Sequence, residues 1–97
     1  MSLEQITQNL SSRVAAGSGL NATVKFDFGS DGIVFVDGVN NTVSNEDAEA
    51  DCTITISMDN FLALASGDLD PTTAFMMGKL KVKGNMGIAM KLQGLLG

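Results

Sequence analysis

The chain has 97 residues, 44% of them apolar, and a formal net charge of −5. That is the length of one modest domain, too apolar for a disordered segment. The acidity excludes general nucleic-acid binding, and the lack of any histidine excludes Ser-His-Asp or Cys-His catalysis and imidazole metal sites.

Residues 2–16 read as a helix. Leu3, Ile6, Leu10 and Val14 recur at spacings of three and four and form one stripe. Ser2 and Gln5 have capping-box spacing, Gly17 supplies a stop, and Gly17-Ser18-Gly19 forms a loose link. Gly17 to Ala22 superficially matches a dinucleotide fingerprint, but it follows a helix rather than a strand, so no phosphate would meet a helix start.

Two strands follow. Val24, Phe26 and Phe28 alternate with Thr23, Lys25 and Asp27, so one face is expected to be buried. Gly29-Ser30-Asp31-Gly32 turns the chain into Ile33-Val34-Phe35-Val36, which is apolar on both faces and expected to be covered on both. After the hairpin signal Asp37-Gly38, residues 39–43 form a weaker edge strand. Residues 45–51 form an acidic loop, and Cys52, Ile54 and Ile56 alternate with threonines in a fourth strand.

Ser57 caps a short helix carrying Phe61, Leu62, Leu64 and Ala65, which Gly67 ends. Asp70-Pro71 starts another short helix through Met77. Lys79-Leu80-Lys81-Val82-Lys83 is a strand with two apolar residues inside and three lysines outside. Asn85 then caps a last helix from Met86 to Leu96. The order α-β-β-β-β-α-α-β-α predicts an α+β domain: a five-stranded, mostly antiparallel sheet with helices packed on one face.

The single cysteine, Cys52, has no base beside it and reads as a buried structural thiol in a reducing compartment. No signal peptide and no run of about 18 apolar residues is seen, so a cytoplasmic protein is expected.

The last 26 residues differ from the rest. Residues 72–97 hold four of the six methionines and four of the six cationic side chains with no acid, for a net +4; residues 1–71 carry −9. Methionine is flexible and polarisable and suits surfaces that adapt to varied apolar ligands. On a helical wheel of about 100° per residue, Met86, Ile88, Ala89, Met90, Leu92, Leu95 and Leu96 cover an arc of roughly 220°, whereas packing on a sheet needs little more than about 100°. Gln93 falls inside that arc and Lys91 outside it, with Gly87 and Gly94. The surplus arc suits a ligand pocket, or a helix sandwiched in the core or in a dimer interface. Lys79, Lys81 and Lys83 share one strand face; with Lys91 they either protect an edge strand in water or meet a head group or anionic membrane.

The run AFMMGKLKVKGNMGIAMKLQ at residues 74–93, with Asp70-Pro71 before it, resembles the sterol carrier protein 2 family. The similarity extends in element order over nearly the whole chain. It implies a hydrophobic tunnel between sheet and helices, and non-enzymatic binding and transfer of sterols, fatty acids or fatty acyl-CoA without a cofactor. Carried over, the tunnel is walled by Phe75, Met76 and Met77 and by Met86, Ile88, Ala89, Met90, Leu92 and Leu96 of the last helix, with Gln93 as its polar group. The expected partners are a lipid ligand and, transiently, an anionic membrane, but no nucleic acid; the protein itself would be a monomer or weak homodimer. Family members often end in a peroxisomal tripeptide, whereas Leu95-Leu96-Gly97 does not match one. Another reading remains open: an interaction module whose apolar last helix docks a partner protein or a second copy.

Overall fold

The computed structural model describes residues 3–15 and 21–96, with side chains up to Lys91 except that of Pro71. The expected Ser2–Gln5 capping box, the Gly17 stop and the glycine link lie outside the described residues. So do the side chains of Leu92, Gln93, Leu95 and Leu96.

The observed order is α1 (Leu3–Ala15), β1 (Thr23–Asp27), β2 (Ile33–Asp37), β3 (Thr42–Ser44), β4 (Cys52–Ile56), α2 (Met58–Ser66), α3 (Pro71–Met76), β5 (Leu80–Gly84) and α4 (Met86–Leu96), with a single 3₁₀ turn at Gly29–Asp31. The strands form one sheet in the order β3-β2-β1-β4-β5. All neighbours are antiparallel except the central pair β1 and β4, which run parallel with Val24 opposite Cys52 and Phe26 opposite Ile54.

Strand alternation sends Val24, Phe26, Val34, Val36, Cys52, Ile54 and Ile56 to one face, where all are buried. Ile6, Leu10 and Val14 of α1 lie on the same core, with Phe61 and Leu64 of α2, Ala74 of α3 and Ile88 of α4. The helices thus cover one face, as expected. At the centre three rings meet: Phe61 stands edge-on to Phe26 and Phe28 at 5.4 and 5.2 Å, and Phe26 and Phe28 are stacked at 6.3 Å.

Two expectations change. β2 is not covered on both sides: Val34 and Val36 are buried, but Ile33 and Phe35 on the open face are only half-buried. Antiparallel sheets tolerate one wet face, and Phe35 lies there between Lys25 and Ser44 of its neighbouring strands. The edge strand begins at Thr42 rather than Val39, because Asp37 captures the chain first. Its carboxylate accepts from the backbone N–H groups of Val39 and Asn40, each at 3.0 Å, and from the Asn40 side chain at 2.9 Å. Those donors, led by the Asn40 N–H, hold the Asp37 carboxyl below its ordinary value.

The acidic loop is tied to the sheet. Asp51 accepts from the backbone and hydroxyl of Thr23 at 3.1 and 3.2 Å, and Lys25 pairs with Asp47 at 2.9 Å. At the far end of β5, Gly84 has φ 105 and pairs with Cys52. A Cβ there would collide with the Asp51 carbonyl oxygen, which already accepts from Asn85 N–H at 3.1 Å and has little freedom to move. Gly84→Ala is therefore expected to cost at least about 2 kcal/mol of stability in a urea titration, from left-handed backbone strain and overpacking together. A change within about 0.5 kcal/mol, the usual range for a surface site, would show that β5 shifts freely.

Candidate functional site

Short, well-capped helices stand over the covered face. The Ser57 hydroxyl accepts from Asn60 N–H at 3.1 Å to start α2, and Gly67 ends it in a left-handed conformation. The Asp70 carboxylate accepts from Thr73 N–H at 3.1 Å to start α3. The Asn85 side chain accepts from Gly87 N–H at 2.9 Å at the start of α4. All three caps are the residues expected from sequence.

A cavity of about 610 Å³ lies between α1 and α2. Ile6 and Leu10 wall it from α1; Phe61, Leu62, Ala63 and Ala65 wall it from α2. Its polar groups are Asn9 and Arg13 on one side and Asp59, Ser66 and Asp68 on the other. The Ser66 hydroxyl joins this rim to α2, donating to the Ala63 carbonyl and lying 3.1 Å from an Asp68 carboxylate oxygen. A mostly apolar volume with a few polar groups is the general form of a small-molecule site, and about 300–1,000 Å³ is its usual size.

A second, smaller cavity of about 230 Å³ lies between α3, β5 and α4. It brings together four residues singled out from sequence, Phe75, Met86, Ala89 and Met90, with Thr72, Leu80 and Val82. Ile88 is instead buried in the core. Met76 and Met77, at 81% and 61% exposed, point away from this cavity's lining. The α4 wheel explains the division. Ile88 lies in the core beneath α4, whereas Met86 and Met90, on the other flank of the apolar arc, line the small cavity and remain exposed.

The lysines are also divided. Lys81 and Lys83 face the open side of the sheet, opposite Thr55 and Thr53 in the register. Lys79 precedes β5 and shares a shallow depression with Lys81, Asp27, Thr55 and Ser57. Lys91 is exposed on α4.

Sequence reasoning missed the larger cavity. Its walls lie about 50 residues apart in the chain, on α1 and α2. A signal was present: in Phe61-Leu62-Ala63-Leu64-Ala65, a helix period of about 100° per residue spreads apolar side chains over almost the whole circumference, more than one contact can bury. Cys52 is fully buried, and burial pushes its thiol up. Among the described residues no cluster of three or more Cys, Asp or Glu side chains could hold a metal ion, and no helix is long and apolar enough to cross a membrane.

Known proteins are similar to this chain in sequence and in fold. The human protein "Sterol carrier protein 2" is 53% identical over 58 residues, which is 60% of this chain but 11% of that protein, so the chain spans only a small part of the curated relatives it matches. The solution structure of sterol carrier protein domain 2 of Helicoverpa armigera is 31% identical, with a TM-score of 0.64, over 97% of this chain and 76% of that one. An Aedes aegypti sterol carrier protein-2 in complex with the C16 fatty acid palmitate has the same fold at 21% identity, with a TM-score of 0.80 over 100% of this chain and 97% of that one. The family model described as "SCP-2 sterol transfer family" matches residues 3–97, and the chain belongs to that family.

Proposed function

We propose that this chain is a lipid-binding domain that holds fatty acids, fatty acyl-CoA or sterols and transfers them without covalent chemistry. The observation that carries the reading is the apolar volume of about 610 Å³ between α1 and α2, in a chain of the SCP-2 sterol transfer family. Each methylene removed from water contributes about 0.8 kcal/mol, so a long acyl chain binds usefully with few polar contacts. Arg13 supplies a cation at the rim for a carboxylate or phosphate head group. The cavity of Phe75, Met86, Ala89 and Met90 is too small as formed for a whole lipid, and it takes the far end of a chain or widens around it through its flexible methionines.

The human relative is named for sterol carriage, and the Aedes aegypti protein holds palmitate; both support this class of cargo. The absence of histidine and the buried Cys52 support a carrier rather than an enzyme. A single free thiol also suits a reducing compartment such as the cytoplasm.

The test is direct. The purified chain is expected to release lipid on extraction with organic solvent, read by mass spectrometry. The stripped chain is expected to take up a fluorescent long-chain fatty acid with saturable, one-to-one stoichiometry. A clean extract together with no uptake would sink the reading.

A further inference from the structure

The rim of the α1–α2 cavity is uneven in charge. The described residues that line it carry one cation, Arg13, and two carboxylates, Asp59 and Asp68. All three are exposed and stand at the mouth, while Ile6, Leu10 and Phe61 are buried in the apolar wall. The two carboxylates are not equivalent. Asp59 lies in the first turn of α2, where the positive end of the helix dipole stabilises it. Asp68 lies just past the C-cap Gly67, beside the negative end, which favours a cation.

Acceptors also outnumber donors at that end. The Ser66 hydroxyl lies 3.1 Å from the Ala63 carbonyl oxygen and 3.1 Å from an Asp68 carboxylate oxygen, and it has one proton to give. The Ala63 carbonyl also accepts from Leu69 N–H at 3.1 Å. With the Ser66 proton on that carbonyl, the Ser66 oxygen and the Asp68 carboxylate stand side by side as two acceptors, open to a donor from the cavity.

Resting on the reading that this cavity holds lipid, we propose that its preferred guest is a single-chain lipid with an ammonium head, a long-chain primary amine, rather than a fatty acid. The chain lies along the apolar wall, and the ammonium sits between Ser66 and Asp68. An ammonium brings three N–H donors and a positive charge; a carboxylate brings only acceptors and a negative charge. The amine is protonated at neutral pH, as a lysine side chain is. Arg13 offers a fatty-acid carboxylate one partner, but Asp59 and Asp68 repel it, and when Arg13 neutralises one of them the other still remains. A fatty alcohol, with one donor and no charge, falls between the two.

The experiment is calorimetric titration of the stripped full chain with dodecylamine, dodecanol and dodecanoate, each below its micelle-forming concentration, at neutral pH. The common tail makes any difference a property of the head group. Dodecylamine is expected to bind roughly fivefold tighter than dodecanoate, the upper end for an exposed ion pair, with dodecanol between them. The gap is expected to narrow as salt rises. Asp68→Asn is expected to lower dodecylamine affinity roughly threefold and to raise that of dodecanoate. Ser66→Ala removes one acceptor and is expected to weaken dodecylamine but not dodecanoate. Glu49→Gln removes the same charge from the loop before β4, outside the cavity lining, and is expected to change neither. All three positions are exposed, and a urea midpoint checks that each variant folds. Dodecanoate binding as tightly as dodecylamine overturns the proposal and leaves the lipid-carrier reading intact. So does unchanged dodecylamine affinity in folded Asp68→Asn or Ser66→Ala, or a loss in Glu49→Gln equal to that in Asp68→Asn, which would mean attraction to net charge alone. Binding of none of the three sinks the lipid-carrier reading and this inference with it.

Discussion

Phe26→Ala is expected to destabilise the protein by about 3–5 kcal/mol, measured as a shift in the urea midpoint at unchanged slope. Phe26 sits on β1, the central strand, which runs antiparallel to β2 on one side and parallel to β4 on the other, and is 1% exposed. Its ring lies against both Phe28 and Phe61. Truncation removes the transfer energy of the ring and leaves a void that the sheet cannot close, because five-residue strands pinned on both sides have little room to collapse. Small domains are stable by only about 5–15 kcal/mol, so this one change removes a large share. Phe61 also walls the larger cavity, and loosening its neighbour is expected to weaken fatty-acid uptake as well. By contrast, Met76→Ala, at an exposed site, should stay within about 0.5 kcal/mol. A Phe26→Ala cost near that of Met76→Ala would mean that the three rings are not the structural centre.

The second large effect concerns cargo. Ala65→Trp introduces an indole into the wall of the α1–α2 cavity from an exposed position on α2, where the fold loses little. If the acyl chain occupies that volume, excluding even two methylenes costs about 1.6 kcal/mol, roughly a 15-fold loss of fatty-acid affinity. The measurement is titration of the stripped protein with a fluorescent fatty acid, alongside a urea midpoint to show that the fold survives. Unchanged affinity in a folded variant would move the cargo out of this cavity and towards the one lined by Phe75, Met86, Ala89 and Met90.

Local signals in the chain anticipated the elements closely. The caps at Ser57, Asp70 and Asn85 accept hydrogen bonds where their side-chain chemistry required. The errors came from competition that propensity cannot weigh. Val39 has strand propensity, but the Asp37 carboxylate two residues earlier takes its N–H and leaves the side chain exposed. Ile33 and Phe35 are apolar enough for a covered face, yet half-burial among cross-strand neighbours suffices for them. The wheel of α4 gave more apolar surface than one sheet contact needs, and of the residues on that arc Met86 and Met90 are exposed. The same reasoning applied to α2 would have pointed to the larger cavity.

By itself, the sequence determined the order of the nine helices and strands among the described residues, the buried faces of β1 and β4, the family, and the split between an acidic body and a cationic, methionine-rich tail. These are short-range properties: period, capping, turn chemistry and charge reside in neighbouring residues. Only the tertiary structure decided that β1 and β4 pair in parallel at the centre of the sheet, that α1 and α2 stand far enough apart to leave about 610 Å³ between them, and that Met76 and Met77 face outward. Each depends on where residues distant in the chain come to rest, and the free energy of that arrangement belongs to the packed core as a whole, not to any segment of it.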